Sequence, residues 1–230
     1  MGDDRYQLLM KVAILLSLGW LGWSLYDWGI GSTDPESLKM AAGLRYLEDG
    51  DYQDALTTFE EVYRLSPDNL GALRGKAQAL MHIATAEILE GLQQHSESQL
   101  RSTEWERKAQ QRYREALACY NEAITREQQR PDSELRQKIL GVSYANRGIL
   151  KDHMGDYRGA LADYETAIKL TPEVTEGPGL LTRFLRNQPK RQPTVASRAD
   201  YIRQQLTRPE GEQLLRNPTE DVRQRSYTLD

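Results

Sequence analysis

The stretch GDYRGALADYETAIKLTPE (155–173) has a near copy earlier in the chain, GDYQDALTTFEEVYRLSPD (50–68). Both follow the frame G-D-Y-x-x-A-L-x-x-[FY]-E and close on L-[ST]-P. The first aromatic, the Ala and the second aromatic (Tyr52, Ala55, Phe59; Tyr157, Ala160, Tyr164) are spaced three and four apart. That spacing places them on one face of a helix. The Ala admits a close neighbouring helix, and the aromatics fill the groove beside it. Gly50 and Gly155 suit the turn that ends a preceding helix, and Pro67 and Pro172 stop the one that follows.

Each copy is preceded by a second helical stretch, SLKMAAGLRYLED (37–49) and SYANRGILKDHM (143–154). The unit is therefore helix, turn, helix, with a length of about 34 residues. A third copy lies between them. YREALACYNEAI (113–124) carries Tyr113, Ala116, Tyr120 and Ala123 at the same spacing, and LGALRGKAQALMHIATAEIL (70–89) supplies its first helix. The interval from Tyr52 to Tyr113 exceeds one period by most of another repeat. The surplus is rich in Glu, Gln, Arg and Ala, so it reads as both helices of the middle unit running on past the body. The result is a projecting hairpin around 88–112 that turns near His95–Ser98. Pro131 and Asp132 then open a long helix over about 132–154.

These residues resemble the tetratricopeptide repeat. The first copy matches that family's pattern at Gly43, Tyr46, Ala55, Phe59 and Pro67; the last matches at Tyr144, Gly148, Ala160, Tyr164, Ala167 and Pro172. The middle copy departs from it, with Ala77 where Gly is usual and Leu80 where Tyr is usual. The resemblance covers about 36–174 and implies an all-α repeat array with a concave surface formed by the first helix of each unit. In the family's register the groove draws on Met40, Leu44 and Leu47, then Arg74, Gln78 and Met81, then Ala145, Ile149 and Asp152. Such a surface is mostly apolar and suits an amphipathic helix or an extended apolar peptide. The subfamily that captures C-terminal carboxylates uses Lys, Asn and Arg at positions held here by Met40, Leu44, Gly75, Val142 and Asn146, so that mode is not expected.

After the last repeat, GLLTRFLRN in 175–188 reads as a helix capping the exposed side of the third unit. The alternative is that the chain folds back into its own groove. The remainder, 189–230, is marked off by Pro189, Pro193, Pro209 and Pro218. It holds two helical scraps, VASRADYIRQQL (195–206) with Thr194 as N-cap, and GEQLLR (211–216). Apolar residues persist through it, including Tyr201, Ile202, Leu206, Leu214, Leu215 and Tyr227. The expectation is an extended arm that orders along a partner protein.

The N-terminus has another composition. Residues 8–26, LLMKVAILLSLGWLGWSLY, carry Lys11 as their one charge, and about 20 apolar residues cross a bilayer as a helix. Lys11 can snorkel to the headgroups, while Trp20, Trp23 and Trp28 gather where an interfacial aromatic belt belongs. The start MGDDRY is no basic leader, and SLYDWGIGSTD offers no small-residue cleavage site. The expectation is a short cytoplasmic N-terminus (1–7), an uncleaved anchor (8–28) and a linker (29–35). Arg5 and Lys11 precede the apolar core, and no Lys or Arg follows until Lys39. The positive-inside rule then puts the repeat body on the far side of a bacterial inner membrane, in the periplasm.

No catalytic constellation is visible. His82, His95 and His153 are scattered, and the lone Cys119 sits between Ala118 and Tyr120 as packing. No phosphate loop or dinucleotide fingerprint occurs, so no cofactor, metal or small-molecule substrate is expected. The net charge of −4 gives no basic stripe for nucleic acid. The sequence thus implies a membrane-anchored interaction module. It is similar to bacterial periplasmic anchored repeat proteins, and it would scaffold or assemble an integral membrane complex as an accessory subunit. The rival is a periplasmic holding chaperone for exported chains.

Overall fold

The computed structural model describes residues 3–30, 34–94, 104–172, 194–216 and 226–227. Among these the regular elements are all helical. They are α1 (Asp3–Ile30), α2 (Pro35–Asp49), α3 (Tyr52–Leu65), α4 (Leu70–Gln94), α5 (Glu104–Gln128), α6 (Glu134–His153), α7 (Tyr157–Leu170) and α8 (Val195–Leu206), followed by a short 3-10 turn at Glu210–Glu212.

Local chemistry sets the boundaries. Asp34 caps α2, its carboxylate accepting from the Ser37 N–H at 3.1 Å, and Pro35 takes the first helical position. Gly50 ends α2 in the left-handed region at φ 88°, and Gly155 does the same after α6 at φ 82°. A side chain at either position would strain the backbone. Ser133 caps α6, and Asp156 caps α7 through Gly159 N–H at 2.9 Å. Thr194 and Ser197 form a reciprocal capping box at the start of α8.

Helices α2 to α8 pack in chain order, each on the next, and the first helices of successive units (α2, α4, α6) also touch one another. This is the arrangement of a one-dimensional repeat stack. A continuous core threads it, with Phe59, Met81, Tyr113, Tyr120, Ile149 and Tyr164 all fully buried. Glycine sets the spacing around the rings. A Cβ on Gly43 of α2 would lie 2.8 Å from the Phe59 ring, and one on Gly75 of α4 would lie 2.6 Å from the same ring. Phe59 is therefore held between two bare backbones from adjacent units. Gly148 gives Tyr164 the same close approach at 2.6 Å. In the middle unit, the small residue that matters to the aromatic is Gly75, two positions ahead of the Ala77 that the family register points to.

The two helices of the middle unit are long. Helices α4 and α5 each run 25 residues against 14 for α3 and α7. Near the far end of the described hairpin, Trp105 covers Gly91, where a Cβ would come within 2.4 Å of the indole. The turn proposed near His95–Ser98 lies outside the described residues.

The other expectations divide. The cap assigned to 175–188 lies outside the described residues. The segment 211–216 is not a helix: a 3-10 turn at Glu210–Glu212 gives way to irregular chain. The helix α1 is continuous from Asp3 to Ile30. The spanning segment expected over 8–28 is not established by this, because among the described residues no helix is long and apolar enough to cross a membrane. The described side chains of α1 run only from Lys11 to Ser24.

The glycine–aromatic packing carries a prediction. Gly148→Val forces a branched side chain into the Tyr164 ring and should lower stability by about 2 kcal/mol. Gly211→Ala, which would meet nothing within 4 Å, should leave it unchanged. Urea unfolding followed by circular dichroism compares the two, and equal midpoints would refute the packing account.

Candidate functional site: the groove and its occupant

The first helices of the three units, α2, α4 and α6, lie side by side and form the face read from the sequence as the groove. Against α4, α6 and the start of α8 lies a piece of the chain's own C-terminus, Ser226–Tyr227. The Ser226 hydroxyl accepts from Gln78 Nε2 at 2.6 Å and lies 2.7 Å from His82 Nε2. Asn146 faces the main chain of Tyr227 with both ends of its carboxamide. Its Nδ2 donates to the Tyr227 carbonyl at 2.9 Å, and its Oδ1 accepts from the Tyr227 N–H at 2.7 Å. The Tyr227 hydroxyl accepts from the Val195 N–H at 3.1 Å, one of the free donors at the start of α8. The His82 ring stacks on Tyr52 at 4.5 Å, which fixes its plane.

A buried ion pair anchors this end of the groove. Asp152 on α6 and Arg198 on α8 meet in a two-pronged contact, Nε to Oδ2 at 2.6 Å and Nη2 to Oδ1 at 2.7 Å. Their side chains are 2% and 3% exposed. Tyr164 donates to Asp152 at 3.2 Å, and Arg198 Nη2 also donates to the Leu215 carbonyl at 3.0 Å. Gln205 Oε1 accepts from Leu214 N–H at 3.0 Å, and Tyr201 donates to the Leu214 carbonyl at 2.6 Å. The segment after α8 is thereby laid back along α8. Helix α8 itself buries Val195, Ala199 and Ile202 and packs on α7. It covers the third unit on the side of α7.

The predicted site residues therefore scatter. Of the groove set, Gln78 meets the tail. Leu47, Met81 and Ile149 are core residues, and Met40 packs partly buried against that core. Leu44 is exposed, while Arg74 turns to Glu127 at 3.4 Å. Of the arm set, Ile202 is fully buried, and Leu206, Leu215 and Tyr227 are half-buried against the chain's own core. Tyr201 is half-buried by its bond to Leu214, and Leu214 alone is exposed. The arm is thus, in its described part, docked on the body. At the N-terminus Lys11, Trp20 and Trp23 are exposed, and the side chain of Trp28 lies outside the described residues. Sequence reading missed Asn146 as a contact. The signal was a polar residue, 4% exposed, among Ala145, Ile149 and Leu150.

The titratable groups point to structure before chemistry. Burial pushes the Cys119 thiol up to about 11, which leaves it protonated and a poor nucleophile at neutral pH. Burial also lowers His153, against the raising effect of Asp152 and with Arg198 and Arg216 adding to it; its ring stacks on Tyr113. Among the described residues no group of His, Cys, Asp and Glu is placed to hold a metal ion.

Two segments, 46–84 and 142–174, match models of the tetratricopeptide repeat. They cover α3 with much of α4, and the second half of α6 with α7, and they bracket the elongated α5. No curated protein matches the chain.

Two predictions follow from the ion pair and its neighbour. Asp152→Ala strands the Arg198 guanidinium in the core and should cost about 3–5 kcal/mol. The double change Asp152→Leu with Arg198→Met should restore stability to near wild type while exposing residues after 206 to limited proteolysis. A double variant with a protected C-terminus would show that the pair does not hold the tail. Because His153 is buried in its neutral form with a lowered pKa, its contribution is present above the ordinary value of 6.5 and is lost as pH falls through the folded value. Unfolding midpoints measured from pH 7.5 downward should drop below pH 6.5, and His153→Phe should flatten that part of the curve; an unchanged slope would overturn the assignment.

Proposed function

We propose that this repeat chain is a membrane-anchored scaffold, an accessory subunit that binds partner proteins and helps assemble an integral membrane complex. The observation that carries the reading is the surface of α1. From Lys11 to Trp23 the described side chains are exposed, among them Leu15, Leu16 and Trp20 at 68%, 70% and 71%. A helix apolar all round needs an apolar surrounding. With the length of the apolar run and the aromatic residues at its end, a lipid bilayer fits that need. The Arg5 and Lys11 charges favour a cytoplasmic N-terminus, a single pass through a bacterial inner membrane and a periplasmic repeat body.

Tetratricopeptide repeats indicate protein partners, and the body offers surfaces for them: the groove, the long hairpin and the exposed Leu214. A holding chaperone needs a groove open to solvent. Here Ser226 and Tyr227 lie in it, which favours a scaffold with defined partners.

The full-length chain should stay with the membrane fraction through an alkaline carbonate wash, and a chain starting at Asp34 should leave it. A phosphatase reporter fused after Asp230 should be active outside the cytoplasm. Extraction of the full-length protein in these conditions would remove the anchor, and an inactive but intact fusion would reverse the topology. Mild detergent extraction and mass spectrometry should recover a stoichiometric set of membrane proteins; a smear of substoichiometric exported chains would favour the chaperone.

A further inference from the structure

The contacts made with Ser226–Tyr227 are those of a reading site. Three separate elements converge on two residues. Gln78 and His82 of α4 take the hydroxyl, Asn146 of α6 takes the main chain, and the N-terminus of α8 takes the phenol. Asn146 is the informative member. A carboxamide that pairs with both the N–H and the C=O of one residue recognises any extended backbone, whatever its side chain. Specificity then comes from the neighbours. The pair Gln78–His82 selects a small hydroxyl residue, and the slot beside Val195 selects an aromatic ring with a hydroxyl tip.

We propose that the groove is a recognition site for an extended peptide with a Ser or Thr followed by Tyr, and that the chain's own Ser226–Tyr227 is a resident competitor which a partner's segment displaces. The proposal rests on the scaffold reading and names its ligand chemistry. A tethered segment acts at an effective concentration of about millimolar, so a resident that makes few contacts suffices to hold the site against weak, non-specific chains. A partner that reproduces the same contacts and adds its own to the exposed surface around Leu44 or the hairpin displaces it. Occupancy by the tail reduces the partner's apparent affinity by the fraction of open groove.

The test uses the full chain in detergent micelles and a fluorescein-labelled peptide of sequence DVRQRSYTLD, identical to 221–230, read by anisotropy. A chain carrying Ser226→Ala and Tyr227→Ala should bind the peptide at least tenfold more tightly than wild type. Adding Asn146→Ala should erase that gain, and a peptide with Ser and Tyr both replaced by Ala should not bind. Should Asn146→Ala lose helical signal, Gln78→Ala with His82→Ala in the same opened chain replaces it, with the same loss expected. Equal binding by wild type and opened chain, or an opened and fully helical chain that ignores the peptide, overturns the proposal. The scaffold reading fails separately, by loss of the co-extracted membrane proteins from the wild-type chain.

Discussion

The buried pair of Asp152 and Arg198 is the contact on which the C-terminal half depends. Taking two charges out of water costs several kcal/mol per ion, and the pair offsets this through several charge-assisted bonds at once. Arg198 meets both carboxylate oxygens and then the Leu215 carbonyl; Asp152 also accepts from Tyr164. One ion pair thus joins α6, α7, α8 and the segment that follows α8. An apolar replacement of equal volume would keep α8 on the body through Val195, Ala199 and Ile202. It would have no donor to aim at a carbonyl, and the chain after α8 would lose its direction. The pair is best understood as a device for register, with packing supplying the stability.

Within the body, spacing is set by where the backbone is bare. Phe59 can sit between α2 and α4 only because Gly43 and Gly75 face it. Polar ties then fix neighbouring units to one another. Lys76 of α4 reaches Glu60 at 3.1 Å and Glu115 at 2.8 Å, so one ammonium spans α3, α4 and α5. Burial lowers its pKa, and the bonds to Glu115 and Glu60 outweigh that and raise it. Arg147 meets both oxygens of the nearly buried Asp163 at 2.8 and 2.7 Å, locking α6 to α7. Each unit is therefore correct only relative to the next, and three units with a cap are enough to close the stack.

The repeat body was legible in the sequence because its determinants are local. Three- and four-residue spacings, Gly50 and Gly155, Pro67 and Pro172, and the long helix-forming surplus between Leu70 and Gln128 each act within one turn or one period. Thr194 as the start of a helix was legible for the same reason. The destination of that helix was not. Its docking turns on Arg198 meeting a carboxylate 46 residues earlier, and no local pattern records that distance. The groove was half legible. The register found Gln78 but took Met81 and Ile149 for its lining, since buried core and apolar groove look alike in a helical pattern. Asn146 was hidden by the opposite effect, as one polar residue that makes sense only once the backbone it pairs with is in place.

The overlong middle unit has a mechanical consequence. Helix α4 is 25 residues long, about 37 Å at 1.5 Å per residue, whereas α3, which packs against it, is little more than half that. Toward their far ends α4 and α5 pack on each other, with Gly91 against Trp105 as the outermost described clasp. The overhang is a cantilever rooted in the packed body. A load on it along the helix axes shears a long interface and is resisted; a load that parts the two helices works on one clasp at a time. The same hairpin can therefore be a rigid spacer for one direction of pull and a yielding hinge for another.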